Sequence, residues 1–171
     1  MIPQSRISKY RRAKSQKSLR ENVVTAKLNS KKTGFLCHSH KDAGLALSVQ
    51  EFLNAEGWDI YIDWQDDALS NNPNSTTAKA IKKQISDRSV FLYLATRNAS
   101  NSKWCPWEIG IADKSRGPNN VYIIPTSDSS GSRFGQEYLE LYQRLSVSDK
   151  NRIAVYQPGS RTNGILLSSL S

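Results

Sequence analysis

Val90-Phe91-Leu92-Tyr93-Leu94-Ala95 is an unbroken apolar run with no alternation. A strand with one wet face alternates, so this run reads as a strand covered on both faces, the central member of a parallel sheet. Before it, Ala78, Ile81 and Ile85 recur at helical spacing while Lys79, Lys82 and Lys83 fall on the other side, which predicts a helix starting at Thr76 or Thr77. After it, Ser100 or Ser102 can cap a helix over about residues 103–114, and residues 121–124 form the next strand, ended by Pro125. Further upstream, residues 34–37 are a short apolar strand. Leu45, Ala46, Val49, Phe52 and Leu53 then make one helical stripe that stops at Gly57. Residues 58–63 alternate Trp58, Ile60 and Ile62 with Asp59, Tyr61 and Asp63, as in a half-exposed strand near an edge.

Residues 65–75 are polar, Asn-rich and without period, a loop about as long as a compact domain tolerates. Downstream, Phe134, Tyr138, Leu141 and Leu145 lie at i, i+4, i+7 and i+11 and predict a fourth helix, and residues 152–156 a fifth strand. Residues 157–171 form an extension without a firm pattern beyond an apolar patch at 165–170. Strand and helix alternating in this way predict a flavodoxin-like α/β domain, a five-stranded parallel sheet with helices on both faces. Ligands in such sheets bind beyond the carboxyl ends of the strands, where strand order reverses. That rule selects residues 38–41, 63–75 and 96–104.

Charge divides the chain. Its 171 residues carry a net charge of +9, and residues 1–32 hold ten of the 24 Lys and Arg but one of the 15 Asp and Glu, so the remaining 139 residues are neutral. The basic stretch reads as a solvated, partly disordered arm ahead of a domain at residues 33–156. With Tyr10 its sole aromatic, it offers little for base stacking, and nucleic acid is not the expected partner. No apolar run approaches the roughly 20 residues of a membrane span, and no apolar segment follows the basic start as in a signal peptide. A cytoplasmic protein is expected, with an organellar transit peptide as the alternative reading of the basic start. Cys37 and Cys105 then read as buried thiols. Cys37, His38, His40 and Cys105 lack paired metal-ligand spacing, so no metal is expected. Phosphate-loop and G-x-G-x-x-G signatures are missing, which excludes the common nucleotide-binding enzymes of this fold class.

The informative segment is Ser102-Lys103-Trp104-Cys105-Pro106-Trp107-Glu108. Trp104 and Glu108 lie one helical turn apart on the same face, and a carboxylate on an apolar stripe is costly to bury. Together with Phe35-Leu36-Cys37-His38-Ser39-His40-Lys41-Asp42 and Tyr61-Ile62-Asp63-Trp64, it resembles the signature regions of Toll/interleukin-1 receptor (TIR) domains, particularly bacterial ones, over about residues 33–145. Cys37 stands where that pattern commonly has a small hydroxyl residue. The resemblance implies cleavage of the N-glycosidic bond of NAD+, with NAD+ as substrate and no separate cofactor. Glu108 would be the catalytic carboxylate; His38, Ser39, Asp63, Trp64 and Trp104 would bind substrate. The product would be ADP-ribose or a cyclic or substituted ADP-ribose. The resemblance further implies homo-oligomers through TIR–TIR contacts and a Thoeris-type anti-phage role in which the product activates a separately encoded effector. The alternative within the family is a non-catalytic scaffold acting by TIR–TIR assembly.

Overall fold

The computed structural model describes residues 1–10, 32–65 and 74–170. In chain order these form β1 (Ile2–Pro3), α1 (Gln4–Ser8), β2 (Lys32–Cys37), α2 (Ala43–Ala55), β3 (Trp58–Tyr61), α3 (Ser75–Asp87), β4 (Val90–Ala95), the single turn α4 (Arg97–Ser100) and α5 (Cys105–Arg116). β5 (Val121–Ser127), β6 (Gln143–Val147), β7 (Ile153–Tyr156) and β8 (Ile165–Leu166) follow. The strands form one sheet in the order β3-β2-β4-β5-β6-β7-β8, with β1 also paired to β5. From β3 to β6 all pairs are parallel. β4 is central as expected, and none of its six residues is more than 2% exposed. β3 is the edge. Because β2 connects outward to β3 and β3 crosses back to β4, strand order reverses between β2 and β4.

The five parallel strands are present, but the fifth is β6, inside the stretch expected to be a fourth helix. The helical stripe fails for local reasons. Gly135 and Glu137 both take positive φ, 97° and 62°, which no α-helix contains. Only the short 3-10 turn Glu137–Leu141 forms, and Leu141 is 67% exposed. Leu145 belongs instead to the period-two pattern of β6. Residues 153–156, expected to be the fifth parallel strand, run antiparallel to β6, and β8 in the C-terminal extension pairs antiparallel to β7.

Two apolar layers sandwich the sheet. Leu36, Leu92, Leu94, Tyr122 and Ile124 face α2 through Ala46, Val49 and Leu53. Phe35, Cys37, Phe91, Tyr93 and Ile123 face α3 and α5 through Ile81, Ile85, Ile109 and Ala112.

The α2 layer also takes in Ile2 and Ile7, 4% and 6% exposed, and this revises the basic arm. β1 runs parallel to β5 at Thr126 and Ser127, Gln4 donates to the Thr126 hydroxyl over 3.0 Å, and the Arg6 guanidinium donates to Asn151. The Tyr10 ring packs on Phe52 with centroids 4.9 Å apart. Beside α2, the first ten residues complete the cover over β5 and β6. The rest of the expected arm, residues 11–31, and residues 66–73 of the expected loop lie outside the described residues. No helix among the described residues is long and apolar enough to cross a membrane.

Packing of this kind is measurable. Ile7→Ala lowers the unfolding free energy by about 2–4 kcal/mol, whereas Lys9→Ala, at an exposed position of the same segment, stays within about 0.5 kcal/mol. Urea unfolding of the two variants checks this, and equal midpoints would show that the segment does not share the domain core.

Candidate active site

The carboxyl ends of β2, β3 and β4 open into one cavity of about 450 Å³, and its walls include all six residues singled out in the sequence: His38, Ser39, Asp63, Trp64, Trp104 and Glu108. They come from sequence positions up to 70 apart. What brings them together is the reversal of strand order, which leaves a crevice between the loops after β2 and β4. A polar clasp fixes the two loops. Asp42, at the start of α2, accepts from the Thr96 hydroxyl at 2.5 Å and from the Asn98 amide at 2.6 Å.

Glu108 occupies the first turn of α5. Its position follows from how that helix starts: the Ser102 hydroxyl accepts from the amides of Trp104 and Cys105, Pro106 fits where no amide bond is needed, and the Glu108 amide closes onto the Trp104 carbonyl at 2.9 Å. The side chain is only 5% exposed. Burial pushes its pKa up to about 8, Cys105 and the Asp63 charge add to the shift, and a hydrogen bond with the Cys37 thiol opposes it. A helix N-terminus favours a negative charge, but here desolvation outweighs it.

The remaining walls have distinct characters. His38, 8% exposed, directs Nδ1 to the Leu36 carbonyl at 3.2 Å, so that nitrogen donates and Nε2 is left as an acceptor. Nε2 is buried and has no hydrogen-bond partner among the described residues, and burial holds the His38 pKa below its ordinary value, partly opposed by Asp63. Asp63 opens the 3-10 turn Asp63–Gln65, and its Oδ1 is likewise buried without a partner. Two unsatisfied polar atoms in the wall of a cavity are what a ligand with hydroxyl or amide donors would complete. Ser39 accepts weakly from the Lys41 amide at 3.4 Å, Trp64 stands at the rim 38% exposed, and Trp104 forms one wall.

Of Trp104 and Trp107, only Trp104 lines the cavity. Trp107 meets Trp104 edge-on with centroids 5.2 Å apart and lies under the Lys82 ammonium of α3, outside the cavity. Sequence reasoning missed Thr77 and Ile81 of α3, whereas Asn98, Asn101 and Ser102, which also line the cavity, fall inside the selected segment 96–104 without having been singled out. Ile81 reads in sequence as core. Asn98 and Asn101 read as loop polarity, and only the clasp to Asp42 gives Asn98 a visible role.

The stretch of chain that builds this cavity matches a known family. The TIR domain model matches residues 35–153. The probable 3′ cyclic ADP-D-ribose synthase ThsB′ of Bacillus cereus (strain MSX-D12) is 31% identical over 112 residues, 63% of this chain and 57% of that protein. The chain therefore aligns with a little over half of that relative's length.

A carboxyl group with a raised pKa weakens the fold as it ionises. Its contribution is fully present below about pH 4.5, the ordinary value, and is lost as pH rises through about 8. Glu108→Gln removes that slope. At pH 8.5 the variant is more stable than wild type by on the order of 2–4 kcal/mol, and near pH 4.5 the two converge. Urea midpoints across pH 4.5–9 measure the difference, and parallel curves would contradict a buried, protonated Glu108.

Proposed function

The chain belongs to the TIR domain family, and on that premise we propose that it is an enzyme that cleaves the N-glycosidic bond of NAD+, releases nicotinamide and closes the remainder to a cyclic ADP-ribose. The observation that carries this reading is the Glu108 carboxyl, buried in the wall of a cavity that His38 and Asp63 also line, with His38 Nε2 and Asp63 Oδ1 unpartnered among the described residues. A scaffold has no need to bury an acid at the mouth of its sheet, and doing so costs stability. The similarity to a protein named as a probable 3′ cyclic ADP-D-ribose synthase supports the cyclising outcome.

The chemistry follows from charge. Bound NAD+ brings a cationic nicotinamide, which favours ionisation of Glu108 on binding. The carboxylate accepts hydrogen bonds from the hydroxyls of the nicotinamide ribose. As the C1–N bond breaks, its electron pair passes to nicotinamide, and positive charge develops on C1 and the ring oxygen. A fixed carboxylate in a dry cavity stabilises that charge far more than water would. A ribose hydroxyl of the same molecule then forms the new C1–O bond and gives up its proton. His38 Nε2, uncharged and available as an acceptor, holds a substrate hydroxyl. Trp104 forms the aromatic wall, Ser39 and Asp63 bind the ribose side, and Trp64 lies at the entrance. Water in place of the internal hydroxyl gives ADP-ribose.

The context proposed with this activity is bacterial anti-phage defence of the Thoeris type, in the cytoplasm, with a separately encoded effector that the cyclic product activates. Self-association through TIR–TIR contacts completes the proposal. The exposed Trp64, Tyr138 and Leu141 supply apolar surface for it.

Nicotinamide release from NAD+ is the direct assay. Glu108→Ala and Glu108→Gln each lower kcat by at least about 100-fold, and Trp104→Ala raises KM by roughly tenfold with a smaller change in kcat. Turnover that survives both Glu108 variants would remove the carboxylate from the mechanism. Because the free enzyme must ionise Glu108, kcat/KM rises about tenfold per pH unit below about pH 8 and levels above it. A flat profile from pH 6 to 9 would assign the rate to another group.

A further inference from the structure

The helices α3 and α5 cover their face of the sheet as far as β5. Beyond β5, among the described residues, no helix lies on that face, because the segment where a fourth helix was expected folds as a turn and a strand. Register places Ile123 of β5, Arg144 of β6 and Tyr156 of β7 abreast, so the three share one face. The returning segment comes close over this row at Gly135. A Cβ there would stand 2.8 Å from the Pro125 side chain and 3.2 Å from that of Ala95. Together they enclose a second cavity of about 340 Å³, which Arg133 and Arg161 also line. It shares no lining residue with the cavity at Glu108.

Its lining carries more positive than negative groups. The Arg144 guanidinium donates to the Ser160 carbonyl and lies 5.7 Å from the Tyr156 ring centroid, contacts that aim it without neutralising it. Two acids, Glu140 and Asp149, are on the lining, yet among the described residues neither comes within ion-pair distance of the three arginines. The Met1 amine, hydrogen-bonded to the Ser146 hydroxyl, lies in the same cavity. Burial first, and then the charges of Arg144 and Arg133, hold its pKa below the ordinary value, so positive fields converge there.

We propose that this cavity is a second ligand site, for a nucleotide that carries a pyrophosphate. Planar guanidiniums match phosphate oxygens two at a time, and three of them around one concavity suit a doubly charged group better than a single carboxylate. The volume falls at the lower end of the range for small-molecule pockets. Ile123, Pro125, Tyr142 and Tyr156 supply apolar wall for a sugar or base beside the phosphates. Substrate and product of the proposed reaction both carry a pyrophosphate, but the site does not depend on that reaction.

The test is titration calorimetry of the full chain carrying Glu108→Ala, which prevents turnover, with inorganic pyrophosphate and with ADP-ribose. Pyrophosphate binds at one site and weakens as salt rises. The pair Arg133→Gln and Arg161→Gln, both at exposed positions, raises Kd by at least about tenfold. Glu140→Gln, which removes an opposing charge, tightens binding by about 2- to 5-fold. Trp104→Ala leaves it unchanged. ADP-ribose shows a binding event with the same arginine dependence and a lower Kd than pyrophosphate, which identifies a nucleotide rather than a free anion. Unaltered thermal melting of the arginine pair separates lost binding from lost fold. Pyrophosphate binding that is absent, or unaffected by the arginine pair, overturns the site. ADP-ribose binding that depends on Trp104 and not on the arginines overturns the nucleotide assignment.

Discussion

β4 is dry on both faces, and that constraint governs the rest of the molecule. A strand in this position carries a polar group only where a partner satisfies it, as the Tyr93 hydroxyl donates to the Ala99 carbonyl, and the other functional groups lie beyond its carboxyl end, where Thr96, Asn98 and Ser102 occur in quick succession. The same constraint obliges each face to be covered along the width of the sheet. Where the cover is complete there is core. Where it changes hands or stops there is a cavity.

On one face the cover changes hands. α2 packs over the strands from β3 to β5, and the first ten residues complete the cover beside it above β5 and β6 through Ile2 and Ile7. A segment that is basic in composition thus contributes two of its few apolar residues to the core and turns Arg6 and Lys9 outward. On the other face the cover stops. α3 and α5 close the sheet as far as β5, and the positive φ angles at Gly135 and Glu137 prevent the next segment from continuing as a helix. The cavity lined by arginines lies over these uncovered strands, apart from the Glu108 cavity, which opens at the strand ends where strand order reverses.

The Glu108 cavity illustrates a trade between stability and chemistry. Burying a carboxyl costs free energy unless it is protonated, and raising the pKa to about 8 is how the fold limits that cost. The neighbours do not neutralise it with a basic group. Cys37, Cys105 and Asp63 are its electrostatic surroundings, and a site built that way is prepared for a cation that arrives with the ligand. His38 follows the same logic from the other side, with burial holding its pKa below the ordinary value and Nε2 left without a partner among the described residues.

The sequence by itself determined the central strand, the two helices on either side of it and the identity of the residues at the strand ends. Each of these depends on local pattern: an apolar run too long to have a wet face, lysines opposite isoleucines, a Trp and a Glu one turn apart. It also determined the family, through three short motifs in order. Tertiary structure decided what happens where pattern is ambiguous. Phe134, Tyr138, Leu141 and Leu145 satisfy a helical period, but a period records spacing and not φ, and two positive φ angles turn the stretch into a strand beside β5. Ile2 and Ile7 are too few to announce a core contribution, and their burial depends on the apolar surface that β5 and β6 present beside α2. The depth of Glu108 and the convergence of Arg133, Arg144 and Arg161 are likewise products of folding, since burial and field depend on groups brought together across the sheet.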